Sequence, residues 1–415
     1  MKKHGFLTIA SIILCIAVLM GGCAPAATPT SAAKVPIKIG VPTILTGAGA
    51  PMGTDIIAGA QLTVDQINAA GGVLGRPLEI VQADTKTTSA EDCALAAQVM
   101  DQAGVVAYFP GAFYGPACID EFGKRKGLMQ HMSASKDMVD ERTKGGYTNV
   151  FQDTASEASY GPNAFSVITK SLGYTFPNNK VALLGGNITY DEYIQQASLK
   201  AFQDAGWQVV LNDTYTYDNT DFGADLAQIR AQNPAVIMGI LTSTDSSVAF
   251  MNQFLQNPTQ SLIFIQWSPA SPEFISLLQD KADGVMWETL AAGLPTPEYN
   301  AFVTAFQTKF GRAPGATWPA GQHDMIYIWK AAVESCGDVT AYSCIDTYVL
   351  NLSQHPFQGF MGTYGMDPQT QSGFTGDNWL PMQFIQIQNK QNVTIVLGSK
   401  PVTGTKFQLP PWMSQ

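Results

Sequence analysis

Residues 37–84 read IKIGVPTILTGAGAPMGTDIIAGAQLTVDQINAAGGVLGRPLEIVQAD, and this stretch decides the fold class. Ile37–Leu45 is an apolar run that predicts a buried strand. A helix with one apolar face should follow: Ile56, Ala60, Val64 and Ile67. Gly71 and Gly72 should end that helix, because glycine readily adopts the left-handed conformation found at helix C-termini. A second strand begins within a few residues, which predicts a right-handed βαβ unit in a mostly parallel sheet.

The alternation of strands and amphipathic helices continues to about residue 290, and then the pattern changes. Pro297–Phe310, Pro319–Ser335 and Ile345–Leu352 are three successive helical patterns, and Pro381–Ile387 is a terminal strand pattern. One sheet holding every predicted strand would be unusually wide. The sequence therefore favours two doubly wound α/β lobes.

The first stretch also resembles a known family. A strand ending in LTG, followed by a helix closing on INAAGGVLGRPLEIV, is similar to the opening of the type I periplasmic binding proteins. The similarity is strongest to the branch of ABC importers that binds branched-chain amino acids and amides, the Leu/Ile/Val-binding-like proteins. The resemblance implies two Rossmann-like lobes, a three-stranded hinge between them and a ligand cleft.

The same resemblance implies the domain boundaries. The chain should cross between lobes near residues 151–156, 287–291 and 360–376. The N-terminal lobe would then comprise 35–152 plus 288–360, and the C-terminal lobe 153–287 plus 361–396. Residues 397–415 would form a C-terminal tail.

The N-terminus has the features of an export signal. Lys2 and Lys3 precede an apolar run, Phe6–Met20, that is short for a membrane span. The run ends in small residues and then Cys23, which resembles a lipobox and predicts a signal peptide at 1–22, a lipidated Cys23 and a flexible tether at 23–34. An ordinary secretory signal cut nearby is the alternative. We expect an exported protein anchored by lipid to the cell envelope, in a periplasm or on the outer surface.

Cysteine usage fits an exported protein. Cys15 would leave with the signal and Cys23 would carry the lipid, so four cysteines remain: Cys93, Cys118, Cys336 and Cys344. An even remainder suggests two disulfides, and sequence proximity favours Cys93–Cys118 and Cys336–Cys344. Free buried thiols are the alternative. The spacings lack the paired short gaps of a zinc site, so no metal is predicted.

Charge and glycine spacing exclude further classes of partner. The formal charge is −10, and removal of the two lysines in residues 1–22 makes it −12, which argues against nucleic acid. After Gly47 and Gly49 the next glycine, Gly53, comes one position too late for a dinucleotide-binding fingerprint. We expect a monomer without a cofactor that docks on ABC permease subunits, as the resemblance implies.

In the first lobe, the resemblance assigns ligand contacts to two turns. Relatives that bind amino acids usually carry Ser where Gly115 stands, so the Gly115 backbone or the Tyr114 hydroxyl would have to hold the ligand carboxylate. The second turn matches at Ser133, Ala134 and Ser135, with Ser135 or the next residue in place of the usual Thr. Ordinary helix capping is the alternative for these serines.

In the second lobe, Tyr190, Thr242 and Trp267 follow strand patterns and are the predicted ligand contacts. Relatives tend to carry an acidic residue in the turn of Trp267 for the ligand ammonium group, and this turn has none, although Asp245 or Glu288 could supply the charge. Trp267 would offer an apolar wall, with core packing as its alternative. These features favour a small organic anion, or an aromatic or amide-like compound, over a zwitterionic amino acid.

Motifs for catalysis are absent from the sequence. It contains no Gly-x-Ser-x-Gly elbow, Walker loop or His-Glu-x-x-His helix, and His131, His323 and His355 are far apart. We therefore predict a solute-binding protein of an ABC importer and not an enzyme. The alternatives are a ligand-sensing subunit of a signalling system, or an amide or ester hydrolase.

Overall fold

The computed structural model describes residues 34–113, 115–154 and 156–413, apart from the side chain of Ala48. The predicted signal peptide, Cys23 and nearly all of the predicted tether lie outside this range. Pro36 onwards forms one compact unit, and it is the subject of the following description.

The first lobe is built on a parallel sheet. Over the described residues it has five strands in the order β2-β1-β3-β4-β5, so β1 lies inside the sheet and is buried along most of its length. Strand β1 pairs in parallel with β2 from Ile37–Leu78 to Thr43–Asp84, which confirms the predicted βαβ unit. The strands are β1 Ile37–Thr43, β2 Leu78–Asp84, β3 Ala107–Gly111, β4 Leu128–His131 and β5 Val150–Gln152.

The second lobe has a larger, mixed sheet. Its eight described strands follow the order β15-β14-β13-β10-β9-β8-β6-β7, parallel from β10 to β7 and antiparallel from β10 to β15. The strands are β6 Lys180–Gly186, β7 Gln208–Tyr215, β8 Val236–Ile240, β9 Leu262–Ile265, β10 Met286–Thr289, β13 Gln383–Gln388, β14 Gln391–Leu397 and β15 Lys400–Pro401. A separate hairpin pairs β11 Phe357–Gln358 with β12 Thr363–Tyr364.

Helices cover the faces of both sheets. In the first lobe they are α1 Ala50–Ala69, α2 Ala90–Ala103, α3 Ala117–Gly123, α4 Lys136–Gly145, α10 Pro297–Phe310, α11 Trp318–Cys336 and α12 Tyr342–Leu350. In the second lobe they are α5 Tyr160–Ser166, α6 Thr189–Asp204, α7 Gly223–Gln232, α8 Thr244–Phe254 and α9 Pro272–Leu278. None of the helices in the described ranges combines the length and the apolar character needed to cross a bilayer.

The hydrophobic cores show where the chain passes between lobes. Leu290 belongs to the second-lobe core and Ala291 to the first. Leu380 still packs in the first-lobe core, and Met382 packs in the second. The return to the second lobe, judged by the cores, lies between Leu380 and Met382, shortly after the predicted crossing range of 360–376, because the hairpin β11–β12 and the segment after it cover the first lobe. The predicted tail at 397–415 includes Trp412, which is buried in the second-lobe core.

Both predicted disulfides are present. Cys93–Cys118 joins α2 to α3, and Cys336–Cys344 joins the end of α11 to α12. The alternative of free thiols is therefore wrong for these four residues. Cys93 and Cys118 are fully buried, whereas Cys344 is exposed.

Candidate ligand-binding cleft

Two adjoining cavities lie between the lobes. The inner cavity has a volume of about 50 Å³, and both lobes contribute to its wall. The first lobe contributes Met52, Ala112, Phe113, Met132, Ser133, Ala134, Ser135 and Trp318, and the second lobe contributes Ile188, Tyr190, Thr242 and Trp267. An outer cavity shares four of these residues with it: Met52, Thr242, Trp267 and Trp318.

Aromatic rings from the two lobes meet across the cleft. The ring centroids of Trp267 and Trp318 are 5.5 Å apart at 67°, and those of Tyr190 and Trp267 are 6.0 Å apart at 65°. These are edge-to-face arrangements, which favour aromatic contact and leave ring faces open to a neighbouring apolar group. The inner cavity is therefore suited to an apolar or aromatic ligand body.

Trp267 has a strained backbone. Its φ is 77° and its ψ is −47°, and the N–H of Ser268 donates to the carbonyl of Gln266 at 3.1 Å. This hydrogen bond across one residue defines a γ-turn with positive φ, a conformation that costs a bulky residue free energy. Such strain concentrates at binding sites, and here it directs the indole between the lobes.

The first-lobe wall carries hydrogen-bond donors. The Ser133 hydroxyl oxygen accepts from the N–H of Phe113 at 2.8 Å, so its own hydrogen remains to donate. Ser135 stands at the N-cap of α4, yet its side chain makes no capping bond. Among the described residues, no protein partner is found for the Ser135 hydroxyl or for the N–H groups of Ala134 and Ser135. The N–H of Lys136, one residue further on, already donates to the buried carboxylate of Glu157 at 2.8 Å.

The second-lobe wall is organised by buried polar groups. The Tyr190 hydroxyl accepts from Nε2 of Gln266 at 3.2 Å, and burial of the phenol raises the pKa of Tyr190 well above its usual value. The Thr242 hydroxyl donates to the carboxylate of Asp191. Burial raises the pKa of Asp191 to about 7, although hydrogen bonds from Thr242 and Gly186 oppose that rise.

The outer cavity is acidic. Its wall includes the carboxylates of Asp55, Asp245 and Glu273, and no lysine, arginine or histidine among the described residues lines either cavity. Asp55 is paired with Arg312 and accepts from the N–H of Gly315 at 2.8 Å, yet burial raises its pKa. A ligand carboxylate in the cleft would therefore depend on N–H and hydroxyl donors.

A family comparison identifies this architecture. The model of a family described as "Periplasmic binding protein" matches residues 36–392. The chain belongs to the periplasmic binding protein family. The Leu/Ile/Val-binding protein BraC3 of Rhizobium johnstonii is 22% identical over 338 residues, which cover 80% of this chain and 88% of that protein.

Solved structures of periplasmic binding proteins share the fold. A structure from Silicibacter pomeroyi assigned to a branched-chain amino acid ABC transporter has a TM-score of 0.80 and 27% identity, and covers 91% of this chain and 100% of that chain. A solute binding protein of an R. palustris ABC transporter, in complex with benzoate, has a TM-score of 0.72 and 16% identity. The match covers 89% of this chain and 98% of that chain. The predicted type I periplasmic-binding-protein fold is confirmed.

Family membership also fixes the general type of activity. Periplasmic binding proteins are exported to the periplasm, bind small molecules and work with ABC transporter permeases. The relatives are solute-binding proteins of ABC transporters and not enzymes, which confirms the prediction that this chain is not an enzyme. Within the described part of the chain, no three His, Cys, Asp or Glu side chains stand close enough together to hold a metal ion.

The structure of this periplasmic binding protein brings most of the predicted site residues together. Six of them line the inner cavity: Ser133, Ala134, Ser135, Tyr190, Thr242 and Trp267. Gly115 does not line either cavity, and Tyr114 lies outside the described residues. Helix α3 has only seven residues and follows Pro116, which has no N–H to donate, so this turn offers little to an anion.

The two acidic residues suggested for a ligand ammonium group differ in position. Asp245 is exposed and lines the outer cavity. Glu288 is fully buried, lines neither cavity and accepts from Nδ2 of Asn163 at 2.5 Å. Burial raises the pKa of Glu288 well above its usual value, which favours its neutral form and makes it a poor partner for a ligand ammonium group.

Sequence reasoning missed three important residues of the cleft. Met52 lies in the first turn of α1, and Trp318 is the first residue of α11. Asp191 does not line the cavity but accepts a hydrogen bond from the hydroxyl of Thr242, which does. For Trp318 the sequence did contain a signal, since a tryptophan stands directly before a proline at the start of a predicted helix. Asp191 gave no such signal, because an acid in the first turn of a helix is ordinary helix-dipole compensation.

Proposed function

We propose that this periplasmic binding protein captures a small organic acid with an apolar body and delivers it to an ABC permease for import. The observation that carries the proposal is the inner cavity, whose wall is divided between the two lobes. A ligand that contacts Ser133 and Trp318 on one side and Tyr190 and Trp267 on the other gains its full contacts only when the lobes close, so binding is coupled to closure.

The chemistry of the walls supports the ligand class. The hydroxyl of Ser133, the hydroxyl of Ser135 and the neighbouring N–H groups can hold a carboxylate through hydrogen bonds. The edge-to-face rings of Trp267 and Trp318 accept the apolar body. Amino acids and aromatic or aliphatic carboxylates fit both requirements, and the carbonyl oxygen of a short amide could accept hydrogen bonds from the same donors.

Native mass spectrometry of the purified full-length protein tests the proposal by seeking a co-purified small molecule. A thermal-shift series with branched-chain and aromatic amino acids, aromatic carboxylates and amides then ranks the classes. We expect Trp267→Ala to weaken the best ligand about tenfold or more, because an aromatic wall is lost. Trp207→Ala, in a second-lobe aromatic cluster with Phe176 and Phe202, is the matched control and should retain affinity. Turnover of an ester or amide, without any bound solute, would contradict the proposal.

We further propose that Cys23 carries a lipid that anchors the protein to the cell envelope. The support is the sequence before it, an apolar run followed by small residues. Fractionation of cells tests this proposal directly. The wild type should sediment with membranes, and Cys23→Ala should be recovered in the soluble fraction. Equal distribution of the two would contradict the lipid anchor.

A further inference from the structure

Asp191 is a buried carboxylate that touches the cleft through one neighbour. It is the third residue of α6 and is fully buried. A Cβ at Gly186, the last residue of β6, would collide with its carboxylate, so glycine at this strand end leaves the space that Asp191 occupies. No ion pair of Asp191 with a lysine, arginine or histidine is found among the described residues.

Two hydrogen bonds join Asp191 to Thr242. The Thr242 hydroxyl donates to Oδ1, and the Thr242 N–H donates to Oδ2 at 3.3 Å. Above its pKa of about 7 the Asp191 carboxylate is ionised and has no hydrogen to give, so in that pH range the Thr242 hydroxyl is the donor. The hydrogen of Thr242 points away from the cleft, toward Asp191.

Because the Thr242 hydrogen is directed to Asp191, the two walls of the cleft differ in whether they donate or accept hydrogen bonds. Thr242 lines both cavities, and with its hydrogen engaged it can only accept a hydrogen bond from a ligand. Ser133, on the facing wall, accepts from the Phe113 N–H and retains its hydrogen for donation. Above about pH 7 the first-lobe wall therefore offers donors, and the second-lobe wall offers an acceptor backed by the negative charge of Asp191.

We propose that Asp191 is a positioning residue that selects ligands presenting an N–H group, an ammonium or amide nitrogen, to Thr242. The inference rests on the proposed function and refines it, because it distinguishes acids that carry such a nitrogen from acids of the same shape that lack it. A ligand without an N–H leaves the half-buried hydroxyl oxygen of Thr242 without a donor in the closed cleft, and that loss is the source of discrimination.

Matched pairs of probes test the inference by isothermal titration calorimetry at a pH above the Asp191 pKa of about 7, where the carboxylate is ionised. L-phenylalanine is compared with 3-phenylpropanoate, and L-leucine with 4-methylpentanoate, since each pair differs only in the ammonium group. In wild type we expect the amino acid to bind at least about tenfold tighter than its partner. In Asp191→Asn the amide nitrogen can donate to Thr242, the threonine hydrogen turns to the cleft, and the preference should shrink or reverse.

Control variants distinguish a specific effect of Asp191 on the Thr242 hydroxyl from a general loss of stability. Thr242→Ser keeps the hydroxyl and should keep the wild-type preference, whereas Thr242→Val should lose it. Asp346→Asn replaces another carboxyl whose pKa is raised by burial to about 7, in α12 and outside both cavities, and should leave the ratio unchanged. The ratio of affinities is the readout, because a variant that merely folded less well would weaken both members of a pair alike.

The outcomes distinguish this inference from the proposed function. Tight binding of 3-phenylpropanoate and 4-methylpentanoate without preference for the amino acids, or an unchanged ratio in Asp191→Asn, would overturn the role of Asp191 and leave the capture of organic acids standing. Failure of all four probes to bind wild type would overturn the inference together with the proposed ligand class.

Discussion

One backbone angle identifies Trp267 as a residue placed for contact and not for stability. Its positive φ of 77° costs a side-chain-bearing residue about 1–3 kcal/mol, a cost that glycine avoids. We therefore expect Trp267→Gly to be more stable than Trp267→Ala, by about 1 kcal/mol after the higher chain entropy of glycine is subtracted. Urea unfolding at 25 °C measures both free energies.

Trp318 provides the control for this comparison at the opposite wall of the cleft. It is the first residue of α11, where alanine is the better helix former, so Trp318→Gly should be less stable than Trp318→Ala. The order of the two substitutions should therefore invert between positions 267 and 318. The same order at both positions would show that the turn at Trp267 stores no strain.

Asp191 should also govern part of the pH dependence of stability. Its pKa is raised from 3.8 to about 7 in the folded protein, so the native state holds a proton that the unfolded chain releases. Its stabilising contribution is present below about pH 4 and is lost as the pH rises through about 7. The difference in unfolding free energy between wild type and Asp191→Asn should fall over this range, by at most about 4 kcal/mol.

The buried side chain of His131 changes the unfolding free energy with pH in the opposite direction. The informative quantity is therefore the difference in unfolding free energy between wild type and Asp191→Asn, and not the wild-type value alone. Burial lowers the pKa of His131 to about 3, so its contribution is lost as the pH falls below about 6.5. His131 is present in both proteins and cancels in the subtraction. Chemical denaturation at pH 4, 5, 6, 7 and 8 supplies the values. A pH-independent difference would show that Asp191 titrates normally.

At the scale of elements, sequence pattern located long amphipathic segments well and irregular ones poorly. Helix α10 spans Pro297–Phe310, as predicted, because Thr296 caps it, proline starts it and Gly311 ends it in the left-handed conformation. The amphipathic pattern at 157–172 forms no single helix, but a 3-10 turn, a short α-helix and a π turn in succession. Strand β14 was missed, since its first residues are polar and exposed and give no alternation.

The two disulfides should differ in what they contribute to the elements that they join. Loop-closure entropy predicts about 3.5 kcal/mol for Cys93–Cys118, which closes 25 residues, and about 2.5 kcal/mol for Cys336–Cys344, which closes 8. Burial further increases the stability contributed by Cys93–Cys118, because both residues pack in the core between α2 and α3. We expect the double alanine variant of the first pair to lose more stability in urea unfolding. The reverse order would contradict the chain-entropy account.

At the scale of the whole molecule, local pattern could not show which turns face one another. The six predicted site residues that line the inner cavity all follow strands, where parallel α/β sheets place their ligands. Trp318 and Met52 lie instead at helix starts, and only the packing of α11 and α1 brings them to the cleft. The third crossing could be predicted only as a range, 360–376, for a similar reason: the hairpin β11–β12 has too few strand residues to reveal which lobe it covers.

Contact between the lobes should set the balance of open and closed forms. Trp318 of the first lobe meets Trp267 of the second, and the N–H of Ala316 donates to the carbonyl of Ala270 at 3.1 Å. Removal of one edge-to-face pair costs about 1 kcal/mol, which is roughly a fivefold shift in a two-state balance. We therefore expect ligand-free Trp318→Ala to show a larger radius of gyration than wild type in small-angle X-ray scattering.

Trp207→Ala is the control for this measurement, because Trp207 packs on Phe176 and Phe202 within the second lobe and lines neither cavity of the cleft. Its radius of gyration should match wild type even though an aromatic cluster is lost. An increase in both variants would indicate loosened packing and not lobe opening. An unchanged value in Trp318→Ala would mean that the hinge, and not the tryptophan pair, holds the lobes together, since the backbone contact at Ala316 survives that substitution.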